Sequence, residues 1–548
     1  MRPAAPAAGA TPVRVWAAAP ETVFVPMPPP IAREFRAAWV TPVEGGEWPS
    51  VAGLPIELQK AELRVLFDRA QAIGLNAVIL HVRTAGDAFY PTARAPWSRY
   101  LLGRGSATPG ADYDGYDPLA LAVREAHARG LQLHVWFNPF RASAPDDLGA
   151  PGQSHVSRAH PEWVRRYGKW QWIDPGIPAA RRAVLDAILE VVDRYDIDGV
   201  HLDDYFYPYL EERTITRVVR RGKRRHRITR RVTLQFPDDA SWRRYGVRTG
   251  KSRADWRRAN VDDLVRTLYR EVKARKPAVL IGISPFGIWR PNSPAGITGL
   301  DAYTENFADA RRWLREGWLD YLAPQLYWRL DNAQQRFTRL DAWWRTENIL
   351  GRHVWPGLFT MRVDSRNDPW PREEIANEID ALRAARAGTE ETRGHIHFRF
   401  RTLVSLPNAD GQSLGQELRD GAYREPALPP SSPWLGASVP ASPSVESSLD
   451  PRDVAGDAPG ETDAPFPPAV IARGLLRVAA RDSVEVRWWV VQTLDASGSW
   501  STSVWPAGMR QLPLMLREGP SPLYVAVTAV SPTGVASAPT VLPANAAR

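Results

Sequence analysis

Eight short apolar runs punctuate the chain, at Glu34–Thr41, Leu75–Arg83, Leu131–Phe140, Gly199–Pro208, Ala278–Gly287, Tyr321–Trp328, His353–Phe359 and Gly394–Phe400. Most are dense in β-branched and aromatic residues, as buried strands are. Between them apolar residues recur at helical spacing, over Leu58–Ala72, Pro118–Ala128, Arg181–Tyr195, Arg258–Lys273, Ala308–Glu316, Gln334–Arg345 and Arg372–Ala387. This alternation predicts an α/β protein with a parallel sheet. Eight repeats over residues 33–424 predict a (β/α)8 TIM barrel with long loops. The runner-up, an open doubly wound sheet, lacks a GxGxxG fingerprint after any strand.

The flanks read differently. Residues 1–32 form an Ala/Pro-rich segment without the apolar core of a secretory signal. Residues 425–469 are rich in Pro, Ser, Ala and Asp and nearly aperiodic, which predicts a linker. In residues 470–548, alternating runs at Ser483–Val491 and Leu523–Val530 sit among turn signals such as Ser531-Pro-Thr-Gly. A small β-sandwich is expected there. One insertion stands out. Thr214–Thr233 reads TITRVVRRGKRRHRITRRVT, two β-prone arms that predict a basic hairpin after the fourth strand. It reads either as a solvated, Arg-biased loop or as a contact for an anionic envelope polymer.

Composition narrows the classes. The chain has 548 residues, 44% hydrophobic and 10% aromatic, enough for a large core and incompatible with wholesale disorder. Its 39 Gly and 50 Pro argue against a coiled coil. No apolar stretch reaches 18 residues, so no transmembrane segment is expected. Cysteine is absent, which excludes disulfides, Cys-ligated zinc and thiol catalysis. The net charge is +9, carried almost wholly by Arg, with only 6 Lys. That bias argues against reading the whole surface as a polyanion-binding one. No nucleic-acid partner is expected, because no aromatics interleave the basic run.

In a barrel of this kind chemistry sits at the C-terminal ends of the strands. Residues i and i+2 share a strand face. At shared parity stand Arg83 with His81, then His134, Trp136 and Asn138, then His201 and Asp203, then Gln325 and Tyr327. Polar residues converging on one rim suggest a site; the bland alternative is a hydrogen-bonded polar plug inside the barrel. The sharpest feature is GVHLDDYFYP, Gly199–Pro208, where adjacent carboxylates Asp203 and Asp204 end an apolar strand. Both reach one site only if the pleat ends there. Their mutual repulsion would raise one pKa, preparing an acid beside an ionised partner, the division glycosidases use. Asp204 as a helix cap or an ion-pair partner is the plainer alternative. Tyr205, Tyr207, Trp289, Tyr327 and Trp328, with Trp97 and Trp170, offer ring faces at or near strand ends on which sugars stack.

Several longer stretches carry a resemblance: RTAGDAFYP (Arg83–Pro91), APWSRYLLG (Ala95–Gly103), YDPLALAVREAHARGLQLHVWFNPFR (Tyr116–Arg141), HPEWV, DPGIPAAR, DIDGVHLDDYFYP (Asp196–Pro208), GISPFGIWR and DYLAPQLYW (Asp320–Trp328). In this order they resemble the bacterial glycosyl-hydrolase-like barrel family that includes divisome-associated glycosidases of denuded peptidoglycan. The C-terminal segment resembles a fibronectin type III module. The resemblance implies a glycosidase acting on an amino-sugar glycan polymer; on the strand-end reading above, Asp203 and Asp204 are the expected catalytic residues, and no metal or cofactor is expected. The strand ends and their loops offer Arg83, His134, Trp136, Asn138, Arg141, His201, Tyr205, Tyr207, Trp289, Gln325, Tyr327 and Trp328 as the expected substrate-binding residues. The resemblance also implies a bacterial envelope location, periplasmic or secreted. The basic hairpin departs from the family's usual loop.

Two mechanisms stay open. A retaining scheme needs two carboxyls about 5 Å apart, usually from different strands. No Glu ends the fifth strand, and Glu305 beyond it reads as a helix-capping residue. Asp87 is therefore the second catalytic candidate. Alternatively, an N-acetylated sugar attacks its own anomeric carbon through the acetamido oxygen, and an Asp-Asp pair on the fourth strand resembles some barrel hexosaminidases. Other function classes are a non-catalytic cell-wall glycan-binding protein and a metal-dependent amidohydrolase or deacetylase using histidines such as His395 and His397. The latter class usually carries His-x-His on the first strand, where this chain reads REFRAAWVTP.

Overall fold

The structure is a computed structural model. It describes residues 26–43, 45–103, 113–143, 152–221, 224–388, 393–405, 407–408, 410–436, 438–448, 472–515 and 522–543. Eight parallel strands make the central sheet: β1 (Phe35–Val40), β2 (Ala77–Arg83), β3 (Gln132–Phe137), β4 (Gly199–Leu202), β5 (Leu280–Ile283), β6 (Tyr321–Leu322), β7 and β8 (Gly394–His397). β7 is interrupted at Trp355-Pro356. Its first piece, His353–Val354, pairs with β6, and its second, Gly357–Leu358, pairs with β8. β8 in turn pairs with β1, so the sheet closes into a barrel in sequential order. Helices between the strands include α1 (Ile56–Ile73), α2 (Pro118–Ala128), α3 (Pro178–Arg194), α4 (Arg253–Arg275), α5 (Ala310–Arg315), α6 (Phe337–Glu347) and α7 (Glu373–Ala384).

The barrel interior is unusually aromatic and polar. Phe35, Trp39, Trp136, Tyr321 and Trp355 fill it with Ala37, Ile79 and Ile396. Glycines on neighbouring strands leave the room. A Cβ on Gly282 would lie 1.8 Å from the Tyr321 ring, on Gly199 2.5 Å from His134, and on Gly394 2.4 Å from Trp355. A polar chain then threads the rings. The Trp39 indole N–H donates to His201 Nε2 at 3.1 Å, so the neutral ring carries its proton on Nδ1 and donates to the Tyr321 hydroxyl at 2.9 Å. That hydroxyl donates to His134 Nδ1, also at 2.9 Å. Burial pushes His134 down to about 4 and His201 well below the usual imidazole value, which keeps both neutral.

The C-terminal sandwich has a three-stranded sheet ordered Ser444–Ser448, Ala472–Ala479, Gln511–Met515. Against it stands a four-stranded sheet ordered Trp500–Pro506, Trp488–Leu494, Tyr524–Val530, Thr540–Pro543. Two corrections follow. The first strand, Ser444–Ser448, lies inside the expected linker, because it supplies the edge partner of Ala472–Ala479. Residues 425–436 are docked rather than free. Leu428 exchanges backbone hydrogen bonds with Glu34 and Ala32, and the Trp434 indole donates to Asp320 at 2.9 Å. Residues 1–25 and 449–471 lie outside the described residues.

The sandwich packs on the N-terminal end of the barrel, opposite the C-terminal strand ends. Buried Trp488 donates to the Gly130 carbonyl at 2.8 Å. Arg487 reaches His127, Asp196 and Asp198, and Leu428 joins Trp488, Val490 and Val530 in one apolar cluster.

Candidate active site

β4 ends at Leu202, so the pleat is lost where Asp203 and Asp204 begin. Free of alternation, the two carboxylates are turned toward different partners. Asp203 Oδ2 accepts from the Trp136 indole at 3.0 Å and the Asn138 amide at 3.1 Å, both at the end of β3. Its Oδ1 accepts from the Tyr205 backbone N–H at 3.3 Å. Asp204 Oδ2 accepts from the Tyr209 hydroxyl, and Gln325 also hydrogen-bonds this carboxylate. Burial first, then the neighbouring Asp204 charge, pushes the Asp203 carboxyl up to about 7. Burial also raises Asp204, against the lowering pull of the Tyr209 hydroxyl and Gln325.

Arg141 supplies the positive charge here and lowers both carboxyls. Its guanidinium sits over the Tyr205 ring at 4.1 Å and the Trp170 ring at 4.9 Å. Its backbone N–H donates to Asn138, which fixes the amide that serves Asp203. A three-stranded antiparallel sheet inserted after β3 (Arg141–Ser143, Val164–Tyr167, Trp170–Ile173) holds these pieces. It also braces the β4 loop, since the Trp172 indole donates to the Phe206 carbonyl at 3.0 Å.

Aromatic rings wall the far side. Tyr327 stacks on Phe359 at 4.5 Å and on Phe398 at 5.7 Å. Tyr209 meets Tyr205 edge-on at 5.7 Å, and Phe286 leads from Tyr209 to Trp328. Gln325 also anchors to the Ser284 carbonyl at 3.1 Å. The structure therefore gathers Asp203, Asp204, Trp136, Asn138, Arg141, Tyr205, Gln325 and Tyr327 in one place, with Trp328 in the wall behind.

The remaining residues lie elsewhere. His134 and His201 form the polar plug and are fully buried. Asp87 is tied into its own turn. Its carboxylate accepts from the Thr84 and Ala85 backbone N–H groups and the Thr84 hydroxyl, each at 2.9 Å. Those bonds, with one from Ser98, hold it below its usual value despite burial. Arg83 donates to the Asp87 carbonyl and belongs to the same turn. Tyr207 points away, packed between Phe236 and Phe307. Trp289 belongs to an outer cluster with Trp343, Arg311 and Asp309. Tyr209, Phe359 and Phe398 were missed. Tyr209 stands one residue past the Gly199–Pro208 motif. Phe359 and Phe398 continue the inward parity of Trp355 and Ile396, which would have found them.

His395 and His397 face away from the barrel axis, where both meet the Tyr423 hydroxyl. Among the described residues no three His, Asp or Glu side chains converge as a metal-holding group.

A sequence profile of the glycosyl hydrolase-like 10 family matches residues 34–370, more than half of the chain and all of the barrel from β1 through β7. The chain belongs to that family. Glycosyl hydrolase YngK of Bacillus subtilis is 38% identical over 423 residues, covering 75% of this chain and 76% of the relative. Glycosyl hydrolase DigH of Escherichia coli is 34% identical over 335 residues, 57% of this chain and 70% of the relative. Among solved structures, the glycoside hydrolase domain of PgaB from Bordetella bronchiseptica aligns with 71% of this chain and 98% of its own, at 13% identity and a TM-score of 0.43. The family makes the protein a glycosidase, with a glycan as its substrate class. Among the described residues no helix is long and apolar enough to cross a membrane.

Proposed function

We propose that the Asp203–Asp204 pair cleaves an amino-sugar glycan, peptidoglycan strands without stem peptides, with the substrate's acetamido group as nucleophile. The observation that carries this reading is the unequal pair: two adjacent buried carboxylates with separate partners, while Asp87 is consumed by its own turn. Asp203 holds a proton into the neutral range, where a general acid works best. It gives that proton to the leaving glycosidic oxygen. Ionised Asp204 accepts the acetamido N–H, so the acetamido oxygen attacks the anomeric carbon as the C–O bond breaks. Water then opens the cyclic intermediate and returns a proton to Asp203. Tyr205 and Tyr327 offer ring faces for the sugar, and Arg141 offers charge for its anionic groups.

Peptidoglycan as the glycan and the bacterial envelope as the location rest on the sequence motifs. The three-plus-four strand order supports a fibronectin type III-like reading of the sandwich, a module on the barrel end away from the site. Mass spectrometry of products from peptidoglycan glycans with and without stem peptides tests the substrate. Replacing the 2-acetamido group by hydroxyl tests the mechanism: turnover is lost if the acetamido is the nucleophile. Sustained turnover with a trappable glycosyl-enzyme would overturn it. Binding without turnover would leave a glycan-binding protein.

A further inference from the structure

Two antiparallel arms, Glu212–Arg221 and Arg224–Thr233, form a ribbon in the loop after β4. Among the described residues no third strand pairs with it. Ten residues per arm at about 3.4 Å each give a ribbon about 34 Å long. An isolated two-stranded ribbon buries too little to explain itself by stability. Its charge is the notable feature. Residues 212–233 hold nine Arg and one Lys against one Glu, a balance of +9. The whole chain is also +9, so the other residues carry 60 basic and 60 acidic groups and are neutral overall. A general Arg bias cannot concentrate the net charge this way. Arg213, Arg227, Arg230 and Arg231 are exposed.

The ribbon's root is part of the active-site rim. Leu234 N–H donates to the Glu211 carbonyl, closing the base. The Tyr167 hydroxyl accepts from the Glu211 N–H and donates to the Leu234 carbonyl. The Glu211 carboxylate accepts from the Trp170 indole at 3.1 Å, and that ring carries Arg141 beside the two aspartates. These contacts set the base of the ribbon beside the mouth of the candidate site. The ribbon contains no Trp, Tyr or Phe. It therefore lacks the rings that anchor a protein at a membrane interface or stack on nucleic-acid bases.

We infer that the ribbon is an exosite for the glycan substrate itself: an arginine rail that holds the anionic groups of a long strand outside the cleft and feeds the strand to Asp203 and Asp204. This rests on the proposed function. The probes are peptidoglycan strands freed of stem peptides, the same strands with carboxylates amidated, and a short uncharged chromogenic amino-sugar glycoside. The variant replaces Arg213, Arg227, Arg230 and Arg231 by Gln, and a second variant replaces them by Lys.

The Gln variant should raise KM for the carboxylated strands at least about tenfold, within the range of electrostatic focusing. Its kcat, and its turnover of the short glycoside, should match wild type. The Lys variant should keep the low KM. Wild-type KM should rise with salt, and the Gln variant's should rise much less, because exposed charges are screened beyond about 8 Å at physiological ionic strength. Equal KM for wild type and Gln variant, or for carboxylated and amidated strands, would overturn the inference. So would wild-type co-sedimentation with phosphatidylglycerol vesicles without retention of strands, which would give the ribbon to a membrane surface. If wild type cleaves neither substrate, the proposed function fails on its own. Salt-dependent strand retention by wild type over the Gln variant still decides the ribbon.

Discussion

At the scale of single residues the proposed chemistry rests on how differently two neighbours are held. Asp203 is bound by Trp136 at the end of β3 and Asn138 just after it, whereas Asp204 is bound by Tyr209 from its own loop and Gln325 from beyond β6. Asp203→Asn and Asp204→Asn should each fold and lose at least about 100-fold in turnover, the low end of acid–base contributions. The first variant should also reveal its proton through stability. A carboxyl raised from 3.8 to about 7 in the fold favours folding while it stays protonated, and that advantage drains away as pH rises through this window. The amide cannot ionise and keeps an oxygen for Trp136 and Asn138. Asp203→Asn should therefore melt near wild type at pH 4 and distinctly above it at pH 8. Equal offsets at both pH values would show that Asp203 titrates normally. Tyr209→Phe removes the hydroxyl that lowers Asp204, so the acidic limb of the pH–rate profile should move upward. Rate should fall about 10- to 100-fold, the range for a lost hydrogen bond to a charged group. An unmoved limb would separate Tyr209 from Asp204.

At the scale of elements, the barrel was legible because strand runs and helical periodicities are local signals, and all eight runs contain a strand. The aspartate pair was legible for the same reason: adjacency at a strand end is visible in sequence. What was not legible is which way polar residues face once the interior itself is polar. His134 and His201 share parity with Trp136 and Asp203, yet they lie deeper, where glycines on adjacent strands make room for a ring. Sequence parity gives the face of a strand but not the depth along it. Asp87 misled for another reason, since a turn-building carboxylate and a catalytic one look alike until the backbone N–H groups around them are seen. The plug gives a prediction. Tyr321→Phe leaves the ring that fills the space over Gly282 but takes the bonding partner from two buried histidines. It should lower stability by about 2–6 kcal/mol at the ordinary cost of an unsatisfied buried group, with kcat little changed if folded. Thermal unfolding and kcat measured together check this, and a large fall in kcat with an unchanged melting point would make the plug part of the catalytic apparatus.

At the scale of the whole molecule, the proposed chemistry and the assembly fall at opposite ends of the barrel. The candidate site sits beyond the C-terminal strand ends, while the sandwich and residues 425–436 cover the N-terminal end. Contacts there join Trp488 to Gly130, Arg487 to Asp198, and Leu428 to Glu34. The sequence announced a linker and a separate module; the docking escaped it because Arg487, Trp488 and Leu428 are unremarkable until their partners are known. Trp488→Ala is the direct test of this division. The indole is almost wholly buried and donates one hydrogen bond, so its loss should cost about 3–5 kcal/mol, in the range of large aromatic truncations. Part of that cost falls inside the sandwich, where Trp488 also packs on Val490 and Val530. The rest falls on the interface, so the variant should melt in two resolved transitions, the lower from the sandwich. Activity on a short glycoside should persist through that lower transition, because no sandwich residue touches Asp203 or Asp204 among the described contacts. Loss of activity in step with the sandwich would mean that docking at the far end holds the strand ends in register, and the two ends of the barrel would then be one cooperative unit.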